Sequence, residues 1–263
     1  MSRVALITGG AQGIGAATAA RLLKADFDAV FLVDRNSERL GKEAAALKPL
    51  GRVEILAADL RDADTPARVV AACVEKFGRI DLLFNAAGDT SRGGVEDTST
   101  EVFDRLFEVN VKAPFFLMQE VAKVMKAQKA QKGGTIINVA SMIALGGPPN
   151  LGTYGASKAA LVYLTKNAAH QWAWDGIRAF AINLGWAFTE GEQQTQTKIH
   201  AMPEDWSATI GAQTPAGRLI LPQDIADLVV YLTSPSAQMM NGAAIDFEQL
   251  PMGAFRAHPI LKS

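Results

Sequence analysis

The chain has 263 residues, of which 49% are hydrophobic and 20% charged, a composition typical of a packed globular protein and not of a disordered one. Its 26 Lys and Arg residues balance 27 Asp and Glu residues for a net charge of -1, which gives no electrostatic reason to expect nucleic acid or a membrane surface as a partner. Cys73 is the single cysteine, which excludes an intrachain disulfide and a cysteine-rich metal cluster. No signal-peptide pattern opens the chain, and we expect a cytoplasmic protein.

Short apolar runs rich in Val, Ile and Phe alternate along the chain with longer segments rich in Ala and Leu. Each run is too short for a typical helix and lacks polar/apolar alternation, which is typical of strands buried on both faces. The runs predict seven strands, at 4–7, 29–33, 53–57, 80–84, 135–139, 177–182 and 243–247.

Helix-start signals stand between these strands. Thr65 precedes a proline, as an N-cap residue often does, and Thr98 with Glu101 has the spacing of a capping box. Alternating strands and helices predict a doubly wound α/β fold, a mostly parallel sheet with helices on both faces, in a single domain. The least regular stretch, 186–221, is predicted to be a substrate lid.

A glycine-rich turn joins the first strand to the first helix. Gly9, Gly13 and Gly15 permit a tight turn and close backbone approach, and the helix N-terminus directs N–H groups at a pyrophosphate. The spacing differs from the general Gly-x-Gly-x-x-Gly fingerprint, so an ordinary strand-to-helix turn is the alternative. If a dinucleotide binds here, Gln12 and Ile14 are expected to contact it together with the glycines.

An acidic residue ends the second predicted strand. Asp34 stands 19 residues beyond Gly15, where a carboxylate can accept hydrogen bonds from an adenosine ribose. A carboxylate there also repels a 2′-phosphate, so Asp34 favours NAD over NADP. The neighbouring Arg35 is a complication, because a guanidinium can bind that phosphate instead.

Two more loops follow predicted strands, at the edge where open α/β sheets place their ligands. Asp59, beside Leu60, follows the third strand, and contact with adenine and a helix cap or turn are alternatives for it. The fourth strand is followed by small residues that leave room for a ligand against the backbone. They are Asn85, Ala86, Ala87 and Gly88.

Tyr154 and Lys158 are the residues that we expect to transfer the proton when an alcohol and a carbonyl are interconverted. Residues four apart on a helix lie on one face. A free tyrosine has a pKa of about 10, and a nearby ammonium and a cationic nicotinamide favour the phenolate. Ser141, just past the fifth strand, is placed to hydrogen-bond a substrate oxygen. The alternative is a surface tyrosine and a solvated lysine.

In combination, these motifs resemble the short-chain dehydrogenase/reductase family, of the non-extended type, over essentially the whole chain. The resemblance implies one NAD(P)-binding, Rossmann-type domain over 1–263, in which hydride passes between a substrate carbon and the nicotinamide. It also implies a catalytic tetrad. Asn110 would anchor a proton-relaying water, and Ser141 would hold the substrate oxygen. Tyr154 would be the general acid/base, and Lys158 would bind the nicotinamide ribose.

The chain departs from the family pattern in two places. The family commonly has Asn-Pro-Gly after the sixth strand, and here Leu184 replaces the proline. Thr189 keeps the position at which the family's threonine meets the nicotinamide carboxamide. The backbone of Ala187, between this turn and Thr189, is expected to contact the cofactor as well. Glu248 and Gln249 replace small glycines near the C-terminus, so the tail is expected to take another path and could reach a neighbouring subunit. The family is usually dimeric or tetrameric, so a homo-oligomer, such as a homotetramer, is expected.

The polar lid favours a small polyhydroxylated substrate such as a sugar or polyol. Glu192 and His200 can hydrogen-bond hydroxyls, Ser141 would hold the reacting oxygen, and Trp186 offers an apolar platform for a sugar face. The sequence thus predicts an NAD-dependent alcohol or sugar dehydrogenase. The alternatives are a non-catalytic NAD-binding sensor or scaffold and an NADP-preferring carbonyl reductase. The histidines show no ligand spacing, so no metal is expected.

Overall fold

Seven parallel strands form one sheet in the computed structural model, which describes residues 2–128 and 133–250. The order across the sheet is β3-β2-β1-β4-β5-β6-β7, which confirms the predicted doubly wound fold. All seven predicted strands are present, with ends that differ by one or two residues. The strands are β1 Val4–Thr8, β2 Ala29–Asp34, β3 Arg52–Ala57, β4 Leu82–Asn85, β5 Gly134–Val139, β6 Ile177–Leu184 and β7 Ala244–Phe247.

Nine α-helices connect or follow the strands of the described residues. Six of them pack on the sheet as crossovers, α4 precedes one of these six, α5, in the same connection, and two short helices lie in the segment after β6. The helices are α1 Gly13–Leu23, α2 Ser37–Leu47, α3 Thr65–Phe77, α4 Thr100–Phe107, α5 Ala113–Ala127, α6 Gly152–Gln171, α7 Glu190–Gln194, α8 Trp206–Gly211 and α9 Pro222–Thr233. None of the helices in this part of the chain is long and apolar enough to cross a membrane.

Both faces of the sheet are covered, which explains why the strands read as unbroken apolar runs. Leu6 packs with Phe31 and Leu83 in the apolar layer on one face. The next residue along β1, Ile7, packs with Phe84 in the layer on the other face. Successive side chains of a strand point to opposite faces, so each must be apolar when helices cover both.

The strand order reverses between β1 and β4, and this reversal positions the site. From β1 the chain runs outward to β2 and β3, then returns to the other side of β1 at β4. The crossovers leaving the carboxyl ends of β1 and β4 therefore diverge and open a crevice between them. Doubly wound sheets bind their ligands in this crevice.

The predicted start of α3 is displaced by one residue. The N-cap position is held by Asp64, and Thr65 is already the first helical residue. The Thr65 hydroxyl instead donates to the Asp59 carbonyl at 2.8 Å, so it fastens the turn after β3 to the helix. The threonine-proline pair therefore predicts the presence of α3 correctly, but the N-cap residue is Asp64 and not Thr65.

The capping box predicted for α4 is also displaced by one residue. Ser99, not Thr98, is the N-cap residue, and its hydroxyl accepts a hydrogen bond from the Val102 N–H at 3.4 Å. The Thr98 hydroxyl donates to the Gly94 carbonyl at 2.6 Å. Thr98 and Ser99 are equally suitable cap residues in sequence, and the contact of Thr98 with the preceding loop decides between them.

The segment 186–221 is more regular than its sequence indicates. It contains α7, a π-helical turn at Thr195–Ile199 and α8. Trp206 is 1% exposed and stacks on Trp186 with ring centroids 5.3 Å apart, so the segment has a small core of its own. The Trp206 indole N–H donates to Gln193 Oε1 at 2.7 Å, which satisfies its polar atom.

Glu248 and Gln249, which stand after β7 where the family pattern has small glycines, both contact other segments through their side chains. The Glu248 carboxylate lies against Gly185, where a side chain on residue 185 would collide with it. Gln249 Nε2 donates to the Arg218 carbonyl at 2.7 Å, and its Oε1 accepts from the Ala216 N–H at 2.8 Å. The tail from residue 251 lies outside the described residues, as does its predicted contact with a neighbouring subunit.

Candidate active site

A cleft of about 480 Å³ runs along the carboxyl ends of the strands. It brings together most of the residues that the sequence predicts to bind cofactor or substrate. These are Gly9, Gln12, Gly13, Ile14, Gly15, Asp34, Arg35, Asp59, Leu60, Ala86, Ala87, Gly88, Ser141, Tyr154, Lys158, Thr189 and Glu192.

Five of the predicted site residues lie outside the lining of this cleft: Asn85, Asn110, Trp186, Ala187 and His200. Each has a different position behind or beside the wall. The Ala187 backbone pairs with Ile220 in an isolated parallel bridge, and the His200 N–H donates to the Thr195 carbonyl at 3.2 Å. Asn85, Asn110 and Trp186 support lining residues and are described below.

The glycine loop forms the phosphate end of the cleft. Gly9 and Gly13 have φ of +68° and +56°, a backbone conformation that side chains rarely adopt. A Cβ at Gly9 would lie 2.8 Å from the Ala87 nitrogen, and one at Gly15 would overlap the Gly9 carbonyl oxygen. Because only glycine fits these positions, the loop stays tight and leaves the N-terminus of α1 open to the cleft. This arrangement fits a pyrophosphate.

Asp34 closes the adenosine end of the cleft. Its Oδ1 accepts a hydrogen bond from the Asn36 N–H at 3.0 Å, and its Oδ2 accepts from the Ala11 N–H at 3.3 Å. Both contacts hold the carboxylate at the carboxyl end of β2 beside the glycine loop. An adenosine ribose at this point would meet an acceptor for its hydroxyls, so the residues present fit a dinucleotide.

Asp59 is paired with a residue that the sequence analysis missed, Arg61. The Arg61 guanidinium donates to Asp59 through Nε at 3.1 Å and Nη2 at 2.6 Å, and both residues line the cleft. The hydrogen bond from Arg61 holds the pKa of the Asp59 carboxyl below its usual value. The spacing of two residues in the loop after β3 was a visible signal for this pair.

Asn85 supports the cleft from behind. Its Nδ2 donates to Asn138 Oδ1 at 2.8 Å, which ties the ends of β4 and β5 together, and its own Oδ1 is buried without a partner among the described residues. The Thr8 hydroxyl accepts from the Ala87 N–H at 3.3 Å, which ties β1 to the same loop. The small residues after Asn85 therefore form a fixed wall of the cleft.

Tyr154 and Ser141 meet in the central part of the cleft. Ser141 follows β5 and caps the short 3-10 helix Met142–Leu145, and its hydroxyl lies near enough to the Tyr154 phenol to lower the pKa of that phenol. Burial raises the pKa of Tyr154, the Ser141 hydrogen bond lowers it, and the carboxylate of Glu192 raises it. In the protein alone, burial outweighs the Ser141 hydrogen bond, so the lowered phenol pKa expected from the sequence is not found.

Lys158 lies one helical turn after Tyr154 and is buried, with 4% of its surface exposed. Its Nζ donates to the Val139 carbonyl at 2.8 Å and lies 5.8 Å from the centroid of the Tyr154 ring. Burial lowers the pKa of Lys158 to about 8. The side chain is therefore fixed in the wall, and the alternative of a solvated surface lysine is wrong.

Asn110 lies at a π-helical turn, Glu108–Lys112, between α4 and α5. Its Oδ1 accepts from the Asp89 N–H at 2.8 Å, and its Nδ2 donates to the Asp89 carbonyl at 2.9 Å and to Ser157 Oγ at 3.1 Å. A Cβ on Gly88 would lie 3.4 Å from both Asn110 Oδ1 and Lys158 Nζ, so these two polar groups approach each other across this glycine. The π-turn is the kind of local distortion that places such a residue.

A second ion pair lines the cleft without having been predicted. Arg105 on α4 donates through Nε to Asp89 Oδ2 at 2.9 Å and through Nη2 to Ser91 Oγ at 2.7 Å. Arg105 lies 16 residues beyond Asp89 and 14 beyond Ser91, and no spacing in the sequence signals these contacts. No group of three His, Cys, Asp or Glu residues within 2–128 and 133–250 is arranged to hold a metal ion.

The start of α7 closes one side of the cleft. The Thr189 hydroxyl caps the helix by accepting from the Glu192 N–H at 3.0 Å, and Thr189 lies against Gly13 of the glycine loop. Glu192 Oε1 accepts hydrogen bonds from the indole N–H of Trp186 at 2.8 Å and from Gln196 Nε2 at 2.7 Å. Trp186 thus contacts a lining residue and does not line the cleft itself.

Comparison with known proteins agrees with this geometry. The family model for short chain dehydrogenase matches residues 3–200. Galactitol 2-dehydrogenase of Agrobacterium fabrum is 35% identical over 89% of this chain and 91% of its own length. A solved structure of NAD+-bound xylitol dehydrogenase is 30% identical, with a TM-score of 0.84 over 94% of this chain and 98% of that one.

A structure of an actinorhodin polyketide ketoreductase with NADPH is equally similar, at 29% identity and a TM-score of 0.86 over 94% of this chain and 96% of that one. Of these two similar structures, one thus contains NADPH and the other NAD+. The protein belongs to the short-chain dehydrogenase family of oxidoreductases.

Proposed function

We propose that this oxidoreductase interconverts a secondary alcohol and a carbonyl on a small polyhydroxylated substrate, such as a sugar or polyol, with NAD(H). The observation that carries the proposal is that one cleft brings Ser141 and Tyr154 together beside the buried ammonium of Lys158. The same cleft holds the glycine loop and Asp34, so a bound dinucleotide would reach from one end to the other. When bound, the nicotinamide supplies the hydride acceptor or donor.

The side chains of the protein supply the proton chemistry. In alcohol oxidation Tyr154 Oη takes the proton of the substrate hydroxyl while Ser141 Oγ holds the same oxygen. In carbonyl reduction the direction reverses, and the raised pKa of Tyr154 keeps its phenol protonated at neutral pH. The ammonium of Lys158 would stabilise the phenolate and bind the nicotinamide ribose. Asn110, behind Gly88, would complete the proton relay to solvent through a water.

The test of this mechanism is Tyr154→Phe. We expect its rate of alcohol oxidation to fall by about 10²- to 10⁴-fold, because the general base is removed while the ring still packs. Tyr163→Phe is the matched control, since Tyr163 is 70% exposed on the same helix α6. Binding of NADH, followed by its fluorescence, should be retained in both variants. An oxidation rate for Tyr154→Phe within twofold of the wild type would contradict the mechanism. NADH binding without any turnover by the wild type would instead support the alternative of a non-catalytic NAD-binding protein.

Preference for NAD is proposed from the carboxylate of Asp34. We expect a higher kcat/KM with NAD than with NADP. Asp34→Asn should lower the ratio of the two kcat/KM values, because it removes the charge that repels a 2′-phosphate. Arg35 and Arg61 also line this end of the cleft. A wild-type preference for NADP would contradict the Asp34 argument and assign the 2′-phosphate to these guanidinium groups, as in the alternative of an NADP-preferring carbonyl reductase.

The proposal includes a substrate lid at 186–221 and a homo-oligomer, a dimer or tetramer. Aromatic side chains on α4 and α5 support the oligomer, because Phe103, Phe115 and Phe116 are all more than a third exposed. Phe103 stacks on Phe107, and Phe107 lines one surface pocket with Phe115 and Phe116. We expect this apolar surface to be buried against a second copy of the chain. Sedimentation of the purified protein tests this, and a monomer at micromolar concentration would contradict it.

A further inference from the structure

Glu192 presents a fixed carboxylate to the cleft. Its two hydrogen-bond donors, the Trp186 indole and the Gln196 amide, both bind Oε1, at 2.8 and 2.7 Å. Gln196 is 3% exposed, and the Trp186 ring stacks on the buried Trp206. The carboxylate is therefore held by packed side chains, in contrast to a solvated glutamate whose position is free.

The second oxygen of this carboxylate is available to a ligand. No donor among the described residues binds Glu192 Oε2, although Glu192 lines the same cleft as Ser141 and Tyr154. Glu192 is close enough to Tyr154 to raise the pKa of its phenol. A substrate whose reacting oxygen bonds to Tyr154 therefore lies beside the Glu192 charge.

Most cations of the cleft lie too far from this charge, or are already paired, to offset it. Four basic side chains line it: Arg35, Lys158, Arg61 and Arg105. Arg35 and Arg61 lie at the adenosine end, and Arg105 is paired with Asp89. Lys158 is the one near Tyr154, and its Nζ donates to the Val139 carbonyl. Lys158 is therefore the one cation of the lining near Tyr154 that has no acidic partner among the described residues, and its side chain is buried in the wall with 4% of its surface exposed. A carboxylate on the substrate would thus meet the like charge of Glu192 at the surface of the cleft.

We propose that Glu192 accepts a hydrogen bond from a substrate hydroxyl and selects uncharged polyhydroxylated substrates against the carboxylic acids of the same carbon skeleton. The inference rests on the proposed function in one respect, the binding of the reacting oxygen at Tyr154. It adds a substrate class, neutral polyols and sugars as opposed to sugar acids, and a residue that determines the choice. A hydroxyl can donate to Oε2, whereas a carboxylate can only repel it.

The experiment compares matched neutral and acidic substrates. Xylitol with xylonate and galactitol with galactonate form the polyhydroxylated pairs, and 2-butanol with 3-hydroxybutyrate forms a pair without extra hydroxyls. The kcat/KM for each is measured with NAD and with NADP, and calorimetric titration of the NADH-loaded protein gives the binding ratio within each pair without turnover. We expect the neutral member to be favoured in every pair that binds.

Glu192→Gln isolates the charge, because the glutamine amide oxygen can still accept from Trp186 and Gln196. We expect the neutral-to-acid ratio to fall by about tenfold, which is about 1.4 kcal/mol of discrimination. Glu190→Gln is the matched control. It removes the same charge from the same short helix at an exposed position outside the cleft lining, and the ratio should stay at its wild-type value.

A further readout separates the charge effect from a general loosening of α7. Because the Glu192 carboxylate raises the pKa of Tyr154, the rising limb of the pH profile for alcohol oxidation should move to lower pH in Glu192→Gln. A variant that merely loosened the helix would lower the rate without moving the limb. Preference of the wild type for the acids, or an unchanged ratio in Glu192→Gln, would overturn the inference.

Failure of the proposed function would be distinct from failure of this inference. If only the 2-butanol and 3-hydroxybutyrate pair were bound or turned over, the polyhydroxylated substrate class would be wrong. The role of Glu192 in charge selection would still be decided by the ratio within that pair. If the polyols were turned over but their acids equally so, the proposed function would stand and the inference would fall.

Discussion

Replacing Lys158 with methionine is expected to stabilise the protein while abolishing turnover. Burial lowers the pKa of Lys158 from 10.5 to about 8. At about 1.36 kcal/mol for each pKa unit, the difference of about 2.5 means that roughly 3 kcal/mol opposes folding with a charged lysine. Methionine removes this penalty but leaves the Val139 carbonyl without its donor, which costs about 1–3 kcal/mol. The net gain at neutral pH is therefore about 1 kcal/mol.

The pH dependence is the sharper test, because the loss of the hydrogen bond to Val139 hardly changes with pH. Below pH 8 the lysine is protonated in both the folded and the unfolded chain, so its penalty is constant. Between pH 8 and 10.5 the unfolded chain binds more protons than the folded one, so the free energy of unfolding of the wild type rises with pH. From pH 7.5 to 9.5 it should rise by about 2 kcal/mol relative to Lys158→Met.

Urea unfolding followed by tryptophan fluorescence at both pH values measures this difference. Lys166→Met is the matched control, because Lys166 is exposed on the same helix and the same substitution there should leave the pH dependence as in the wild type. A wild-type stability that stays flat relative to Lys158→Met, or that falls across this window, would refute the argument that burial keeps the lysine at a cost.

The remaining expectations concern the phenol and the glycine loop. Ser141→Ala removes the hydrogen bond that lowers the pKa of Tyr154, so the rising limb of the oxidation profile should move to higher pH, as measured by kcat/KM between pH 6 and 11. An unmoved limb would contradict this contact. Gly15→Ala should lower the free energy of unfolding by more than about 2 kcal/mol, and the melting temperature with it, because its Cβ would overlap the Gly9 carbonyl. Gly41→Ala, which has open space in the middle of α2, should gain up to about 1 kcal/mol in the same thermal melts.

The strands of the sheet could be predicted from the sequence because helices cover both faces of the sheet. Leu6 and Ile7 are neighbours in β1 and pack into opposite layers, so their strand had to be apolar throughout. Helix starts were predicted one residue away from their positions in α3 and α4. At α4 two adjacent hydroxyl residues could each cap the helix, and a contact of Thr98 with Gly94, four residues earlier, decides which one does.

The candidate site was predictable where a backbone constraint or a fixed helical spacing signals it. Gly9 and Gly13, which have positive φ, and the Tyr154–Lys158 spacing are of this kind, and the structure brings these four residues to one cleft. Contacts between distant segments left no such signal. Arg105 reaches Asp89 across 16 residues, and Gln196, which resembles a solvated glutamine in sequence, is buried against Glu192.

The start of α7 links the two ends of the cleft. Thr189 lies against Gly13 of the phosphate loop, and three residues later Glu192 faces the Tyr154 end. The Thr189 hydroxyl bonds the Glu192 N–H at 3.0 Å, so the two residues belong to one helical turn and move together. A dinucleotide that fixed Thr189 would therefore also fix the carboxylate that the substrate meets. Substrate discrimination by Glu192 is for this reason expected to depend on cofactor loading, which is why its binding measurements use the NADH-loaded protein.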